Sequence, residues 1–568
     1  MFLSRKTIIV VPLLITIAAT TPFAQIRSAT PQTVPTAKPV THADVLRGEY
    51  GRYRANNDLL FYHLDIRVDP EKKFVSGKNR IRFKMLKDDA RIQLDLYDNL
   101  RIDKIVQSLE SPGRKEQPSA SLAIPLQYER DSGAVLVDFP RTLKAGRTYT
   151  IDFYYSGRPQ TIGRFGGFTF SKDPAGRPWI FTACEGEGAS IWWPNKDQWK
   201  DEPESMRISV AIPNNLTDVS NGKFLGKTDL GDGYTRWDWL VQYPINNYDV
   251  SLNIGQYVHF DDRLDDLSLD FYALPEDLDK AKKQFSQAKG MLKAYQHYFG
   301  DYPFKNDGYK LIQAPYSGME HQSAVTYGNR FANGYLERDW TEVGISPRFD
   351  FIIIHESGHE WFGNSVTAAD RSDMWIHEGW TTYLECLYVE YMFGKDDGLK
   401  YTNGYQAKVR NQQPIVAPRG VNATPPQDQY FKGALFINTL RSIVNDDKRW
   451  WALLRDFYQH FKYQTIMTED VVAYFSQKTG KNLTPIFDQY LRHTAIPVLE
   501  LVFDDSNKTV RYRWRADERG FAMPVRVGTK DHWQIIKPTT EWQEMKIELK
   551  KEDFQAATDL YFVGVKKS

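Results

Sequence analysis

Cysteine is nearly absent from this sequence. Only Cys184 and Cys386 occur among 568 residues, which excludes a fold held by a framework of disulfides. The two leave open a single bridge or a pair of buried free thiols. Neither sign of charge is in excess: 73 Lys and Arg stand against 72 Asp and Glu, for a net charge of +1. The strongly basic face that holds nucleic acid or an anionic membrane is therefore not expected. Apolar runs of membrane-spanning length are missing as well, and no repeat of fixed period is found. What the chain does have is aromatic residues, at 14%, within 41% hydrophobic and 26% charged residues. That composition fits a globular body with large cores and aromatic-lined clefts. Its length exceeds one ordinary domain and suggests about three or four.

The N-terminus carries Arg5 and Lys6 ahead of the apolar stretch TIIVVPLLITIAA. The stretch is too short to span a bilayer comfortably, so residues 1–24 are expected to be a removed signal peptide, with cleavage after Ala24. No stable membrane insertion is expected after its removal, and the product would be periplasmic or secreted. Residues 25–48, rich in Pro, Thr and Ala, are expected to be a flexible leader.

From about Leu60 the text alternates. FYHLDIRVDP, RIRFKML, AVLVDF, TYTIDFYYSG and YDVSLNIGQYVHF are strand signals, giving an all-β domain over 49–258. Near Pro275 the period changes to three and four, and helical patterns dominate 259–495. PVLELVFDD, TVRYRWRA and DLYFVGV return to strands over 496–568, a small β-sandwich. The fold class is therefore multidomain α+β.

The chemistry centres on FIIIHESGHEWFGNS. If DFIIIHESGHEWFGN is one helix, His355 and His359 stand one turn apart and can reach one ion. With 11 histidines in the chain, a bare His-Glu-x-x-His arises by chance about once in a hundred such chains. The second signal is Glu378 in MWIHEGWTTYLE, nineteen residues after His359. That spacing lets a second helix return and add a third ligand. Two His and one Glu are the protein ligands of a catalytic zinc with an open fourth position. A structural zinc would close that position with Cys or His, and no such residue is suitably spaced. Zinc held this way provides an activated water near neutral pH and polarises a carbonyl. Glu356, beside His355 but not a ligand, is the candidate general base and then acid. Gly358 interrupts the helix pattern and invites close approach of another element. Glu385 is either a partner of a ligand histidine or an ordinary helix acid. His377 points elsewhere and is read as structural. Tyr316 is either wall or core.

HESGHEWFGN followed by HEGWTTYLE resembles the gluzincin zinc aminopeptidases, the family of aminopeptidase N and leukotriene-A hydrolase. Three further stretches are similar to that family. APYSGMEHQS resembles its exopeptidase strand, which implies that Glu320 grips the substrate α-amine while Gly318 and Met319 pair with the substrate backbone. QYFKGALFINTLR implies that Tyr430 stabilises the oxyanion. FTACEGEGASIWWPNKD implies that Glu185 is a second amine ligand. Two carboxylates on one ammonium are charge-paired anchors that place only the first peptide bond at the metal. The resemblance also implies a saddle-like N-terminal β domain and a thermolysin-like catalytic domain. It implies one zinc ion and peptide substrates with a free N-terminus.

The sequence departs from the family at His321, where Asn is usual, and at Glu360, where Gln is usual. A large C-terminal helical domain is also not expected, since about 70 residues follow the catalytic region. His321 is expected to alter substrate holding or to add a titrating group, and the charge at Glu360 has no sequence explanation. The expected activity is that of an exported zinc aminopeptidase. Two rivals are a zinc endopeptidase, which lacks the amine anchor, and a non-catalytic peptide-binding protein on the same fold.

Overall fold

The computed structural model describes residues 39–108, 123–162, 166–506 and 508–568. The expected signal peptide lies outside the described residues. The structure below belongs to the unit Val40–Ser568. The leader expected over 25–48 is not flexible to its end: His42–Gly48 is a helix, with Thr41 and Asp44 forming a capping box.

The alternating segments form strands. Asn57–Asp69 buries Leu64, Ile66 and Val68 on one face. It lies in an eight-stranded sheet, antiparallel to Phe74–Met85 on one side and parallel to Ser205–Pro213 on the other. A five-stranded sheet contains Pro178–Ala183 between Gly166–Lys172 and Leu252–Gly255. A three-stranded sheet, Asp89–Asp95 with Ala134–Leu143 and Gln127–Asp131, completes the β region. Large rings such as Trp192, Trp193 and Tyr62 are fully buried among these strands. The Tyr62 and Trp193 rings meet edge to face at 5.3 Å.

Asp218, on the buried strand Thr217–Ser220, accepts from Trp239 Nε1 at 3.0 Å and Ser220 Oγ at 3.2 Å. Burial outweighs both bonds and pushes its carboxyl up to about 8. The unfolded chain loses this proton near pH 4 while the folded chain keeps it, so stability falls as pH rises from about 4 to about 8. Asp218→Asn, neutral at every pH, is expected to change Tm little at pH 4 and to raise it by a few degrees at pH 9. Equal Tm differences at both pH values, measured by calorimetry, would refute this.

Val258–Leu264 begins the next region. Its sheet runs Val258–Leu264, Leu267–Ala273, Tyr309–Gln313, Val325–Tyr327 and then Gly318–Met319 at the edge. Helices follow, including Phe351–Gly358, Trp375–Phe393 and Asp428–Val444, which pack on one another beneath that edge. The chain ends in a four-stranded and a three-stranded sheet built from Val498–Lys567. Cys184 and Cys386 are both buried and both free. No helix among the described residues is long and apolar enough to cross a membrane.

Candidate active site and metal centre

The zinc-motif helix is shorter than its sequence pattern suggests. It spans Phe351–Gly358, and His359 is its C-terminal cap, still in the right-handed helical region. Glu360–Asn364 leave the helix, so DFIIIHESGHEWFGN is not one helix throughout. The two histidines keep their one-turn relation because His359 continues the helical backbone by one residue. Asp350 caps the start, its Oδ1 accepting from Ile352 N at 3.1 Å and Ile353 N at 3.3 Å. The same carboxylate accepts from Tyr327 at 2.7 Å and Asn329 at 2.9 Å. The ligand helix is thereby tied to the central sheet.

Glu378 lies in the first turn of the long helix Trp375–Phe393. Gly358 allows this helix to come close: a Cβ there would stand 3.0 Å from Thr381 Cγ2. Gly379 and Gly433 do the same for the third helix, each within 3.2 Å of the other's backbone if given a Cβ.

Three donor atoms converge as a result. His355 Nε2 and His359 Nε2 are 3.3 Å apart, and Glu378 Oε2 lies 3.5 Å from the first and 3.3 Å from the second. His355 Nδ1 meets Glu385 Oε1 at 2.6 Å, and His359 Nδ1 meets the Phe362 carbonyl at 3.0 Å. These acceptors place the ring protons on Nδ1, so each Nε2 presents a bare lone pair. Glu378 Oε2 is buried and has no hydrogen-bond donor. Three converging lone pairs require a cation. Tetrahedral zinc with bonds of about 2.0–2.1 Å separates its ligands by about 3.3–3.4 Å, so the donor set fits one zinc ion. Glu385 is thus the partner of a ligand histidine, and Tyr401 also donates to it at 3.0 Å.

A cavity of about 250 Å³ opens over this centre. At one end are Glu185, on the loop after strand Pro178–Ala183, and Glu320, just past the edge strand. Glu320 falls within 4.8 Å of both Glu356 and His359, and Tyr248 donates to its Oε1 at 3.2 Å. Glu185 Oε1 is buried without a partner. Burial, and then repulsion from Glu320, raises the Glu185 carboxyl well above its usual range. Gly318 and Met319 pair with Tyr327 and Thr326 on one side and line the cavity on the other. A Cβ at Gly318 would stand 2.6 Å from Ile352 Cγ2 and 2.8 Å from Glu356 Cγ, so only glycine fits there. Tyr430 opens the third helix, its ring 6.0 Å from that of His355. Burial, then the Glu378 charge, holds its phenol protonated.

The two departures from the family pattern also have physical readings. Glu360 turns away from the donor set, and its Oε1 accepts from Ser323 N at 2.8 Å. Burial pushes its carboxyl up to about 8, so it adds no charge at neutral pH. His321 is fully buried, outside the cavity wall, and burial draws it down to about 3. It does not provide the expected titrating group. His377 is structural: its Nε2 accepts from Ala368 N at 2.8 Å and its ring stacks on Trp199. Tyr316 packs on Phe181 rather than lining the cavity.

Sequence reasoning missed Tyr248 and Arg371. Arg371 donates from Nη1 to the Gly186 carbonyl at 2.8 Å, bracing the loop of Glu185. It also missed the rings Tyr335, Trp340, Phe351, Tyr405 and Phe431 in the cavity wall. Only Phe351, one turn before His355, carried a signal of position.

Residues 59–248 match the Peptidase M1 N-terminal domain, and residues 283–490 match the Peptidase family M1 domain. Human aminopeptidase B is 23% identical over 485 residues, covering 78% of this chain and 70% of its own length. A puromycin-sensitive aminopeptidase of Caenorhabditis elegans is 21% identical, covering 77% of this chain but only 47% of its own length. An M1 zinc metallopeptidase of Deinococcus radiodurans, crystallised with a Tyr-Ser-Ala substrate, shares the fold. Its TM-score is 0.62 at 19% identity, over 78% of this chain and 96% of that one. With both family domains matched in order and the His355, His359 and Glu378 donor set assembled within the second of them, the chain belongs to the M1 family of gluzincin zinc aminopeptidases.

Proposed function

We propose that this chain is an exported zinc aminopeptidase that hydrolyses the N-terminal peptide bond of peptides. The observation that carries the reading is the paired carboxylate at one end of the zinc cavity. Glu185 and Glu320 repel each other, and one buried oxygen of Glu185 has no donor. A substrate ammonium satisfies both and cancels the repulsion. An acetylated N-terminus cannot. An endopeptidase has no use for this pair.

His355, His359 and Glu378 would hold the zinc, which supplies Lewis acidity and draws neighbouring acids toward their ionised forms. Glu185 and Glu320 bind the α-amine. The free edge of Gly318–Met319 aligns the substrate backbone as an added strand. Glu356 takes a proton from the attacking water and passes it to the leaving amine. Tyr430 donates its O–H to the oxygen that gains charge.

The test is hydrolysis of one peptide with a free and with an acetylated N-terminus, with and without a zinc chelator. The free form should be cut, the acetylated form at least about ten- to a hundredfold more slowly, and the chelator should stop both. Equal rates would leave the zinc chemistry and remove the amine anchor. Export rests on Arg5, Lys6 and the apolar stretch after them. Protein recovered outside the cytoplasm should begin at Gln25, and a chain still beginning at Met1 would exclude a removed signal.

A further inference from the structure

The cavity has two chemically different ends. Glu320 clusters with His359, and Asn364, five residues on, donates to the Glu320 carbonyl at 2.7 Å. The amine end is therefore the His359 side of the donor set. On the His355 side the wall is made of rings. Phe351 stacks on His355 with centroids 5.4 Å apart and planes at 12°. Tyr335 and Trp340 stand 5.4 and 5.7 Å from Phe351, and 4.9 Å from each other. Phe431 continues the wall, 6.2 Å from Trp340 and 5.4 Å from Tyr405. Phe351 and Phe431 are buried, whereas Tyr335 and Trp340 are half-buried at the mouth.

Charge narrows what this end accepts. Glu385, the carboxylate behind His355, is already engaged by His355, Tyr401 and Tyr405. On Trp340 lies the Lys408 ammonium, 4.1 Å from the ring centroid. A basic side chain entering here would find no free acid and would meet a like charge at the rim. A flat apolar side chain would meet a wall of aromatic rings, on which it can stack or pack edge to face.

With the α-amine held on the His359 side, the residue that follows the scissile bond leaves toward the His355 side. We infer that this end is a specificity pocket for the second residue of the substrate, and that it selects an aromatic side chain through Tyr335, Trp340, Phe351 and Phe431. The inference rests on the aminopeptidase reading above. Trp340 is the residue to vary, because it is half-buried at the mouth and its replacement opens no closed core.

The experiment uses tripeptides that share their first and third residues and carry Gly, Ala, Lys, Asp, Phe or Trp in second place. Release of the free first amino acid is measured. Phe and Trp should exceed Gly in kcat/KM by about tenfold or more, and Lys should not exceed Ala. In Trp340→Ala the Phe-to-Gly ratio should fall toward one, and in Trp340→Phe most of it should return. Circular dichroism and zinc content establish that both variants are folded and loaded. Equal rates for Phe and Gly in the parent, a preference for Lys, or a ratio unchanged in Trp340→Ala would each overturn the inference. In all three cases the first amino acid is still released, so the aminopeptidase reading stands. Release of internal fragments alone, or no cleavage, would remove that reading and the inference with it.

Discussion

Replacing Glu356 by glutamine is expected to lower kcat by about a hundred- to ten-thousandfold while the chain keeps its zinc. Glu356 is not one of the three converging donors, so its loss leaves His355, His359 and Glu378 in place. Its carboxylate lies against Gly318, on the side where the edge strand presents the substrate backbone. Burial pushes its carboxyl up to about 7, and the neighbouring Glu320 adds to the rise. A group balanced in this way can accept a proton in one step and return it in the next. Glutamine keeps the volume and the polar contact but cannot carry a proton between water and amine. Kinetics and metal analysis of the same preparation decide the matter. Turnover within a few-fold of the parent would end the general-base assignment. Loss of zinc would show that Glu356 helps to hold the metal.

Tyr430→Phe is expected to lower kcat by about a hundred- to a thousandfold and to change KM little. The ring contact with His355 is retained, so the variant removes one O–H and no packing. Burial beside Glu378 and Glu185 keeps the phenol protonated, which leaves it a donor throughout the neutral range. A donor aimed at charge that develops only during reaction contributes to kcat rather than to ground-state binding. A kcat within threefold of the parent would assign Tyr430 to the cavity wall instead. A raised KM at constant kcat would make it a binding residue.

Much of this site was legible in one dimension, because its chemistry uses short spacings within single elements. His355, Glu356 and His359 occupy one helical turn, and the helix rise alone puts both rings on one side. Glu378 was legible because eighteen intervening residues suffice for a turn and a returning helix. The order of β, helical and β regions followed from the change of period near Pro275 and back after about 495. The exact end of the ligand helix was not legible: His-Glu-x-x-His reads as helix to its last residue, yet the backbone departs after His359. Residues 42–48 carry leader-like composition, but the Thr41 and Asp44 capping box makes them helical.

The sequence alone determined the reaction centre, the metal and the strand or helix period of each region. Those depend on local geometry and on the chemistry of residue types. Tertiary structure alone decided what surrounds the centre. Glu185 and Glu320 are more than a hundred positions apart and follow strands of different sheets, so only folding makes them a pair. Glu360 reads as a charge in sequence and is held neutral by burial. Glu385 was equally an ordinary acid until packing of the two helices placed it on His355 Nδ1. The aromatic wall combines Tyr335, Trp340, Phe351, Tyr405 and Phe431 from segments with no common period. Burial and proximity are set by the whole fold, and no spacing along the chain encodes them.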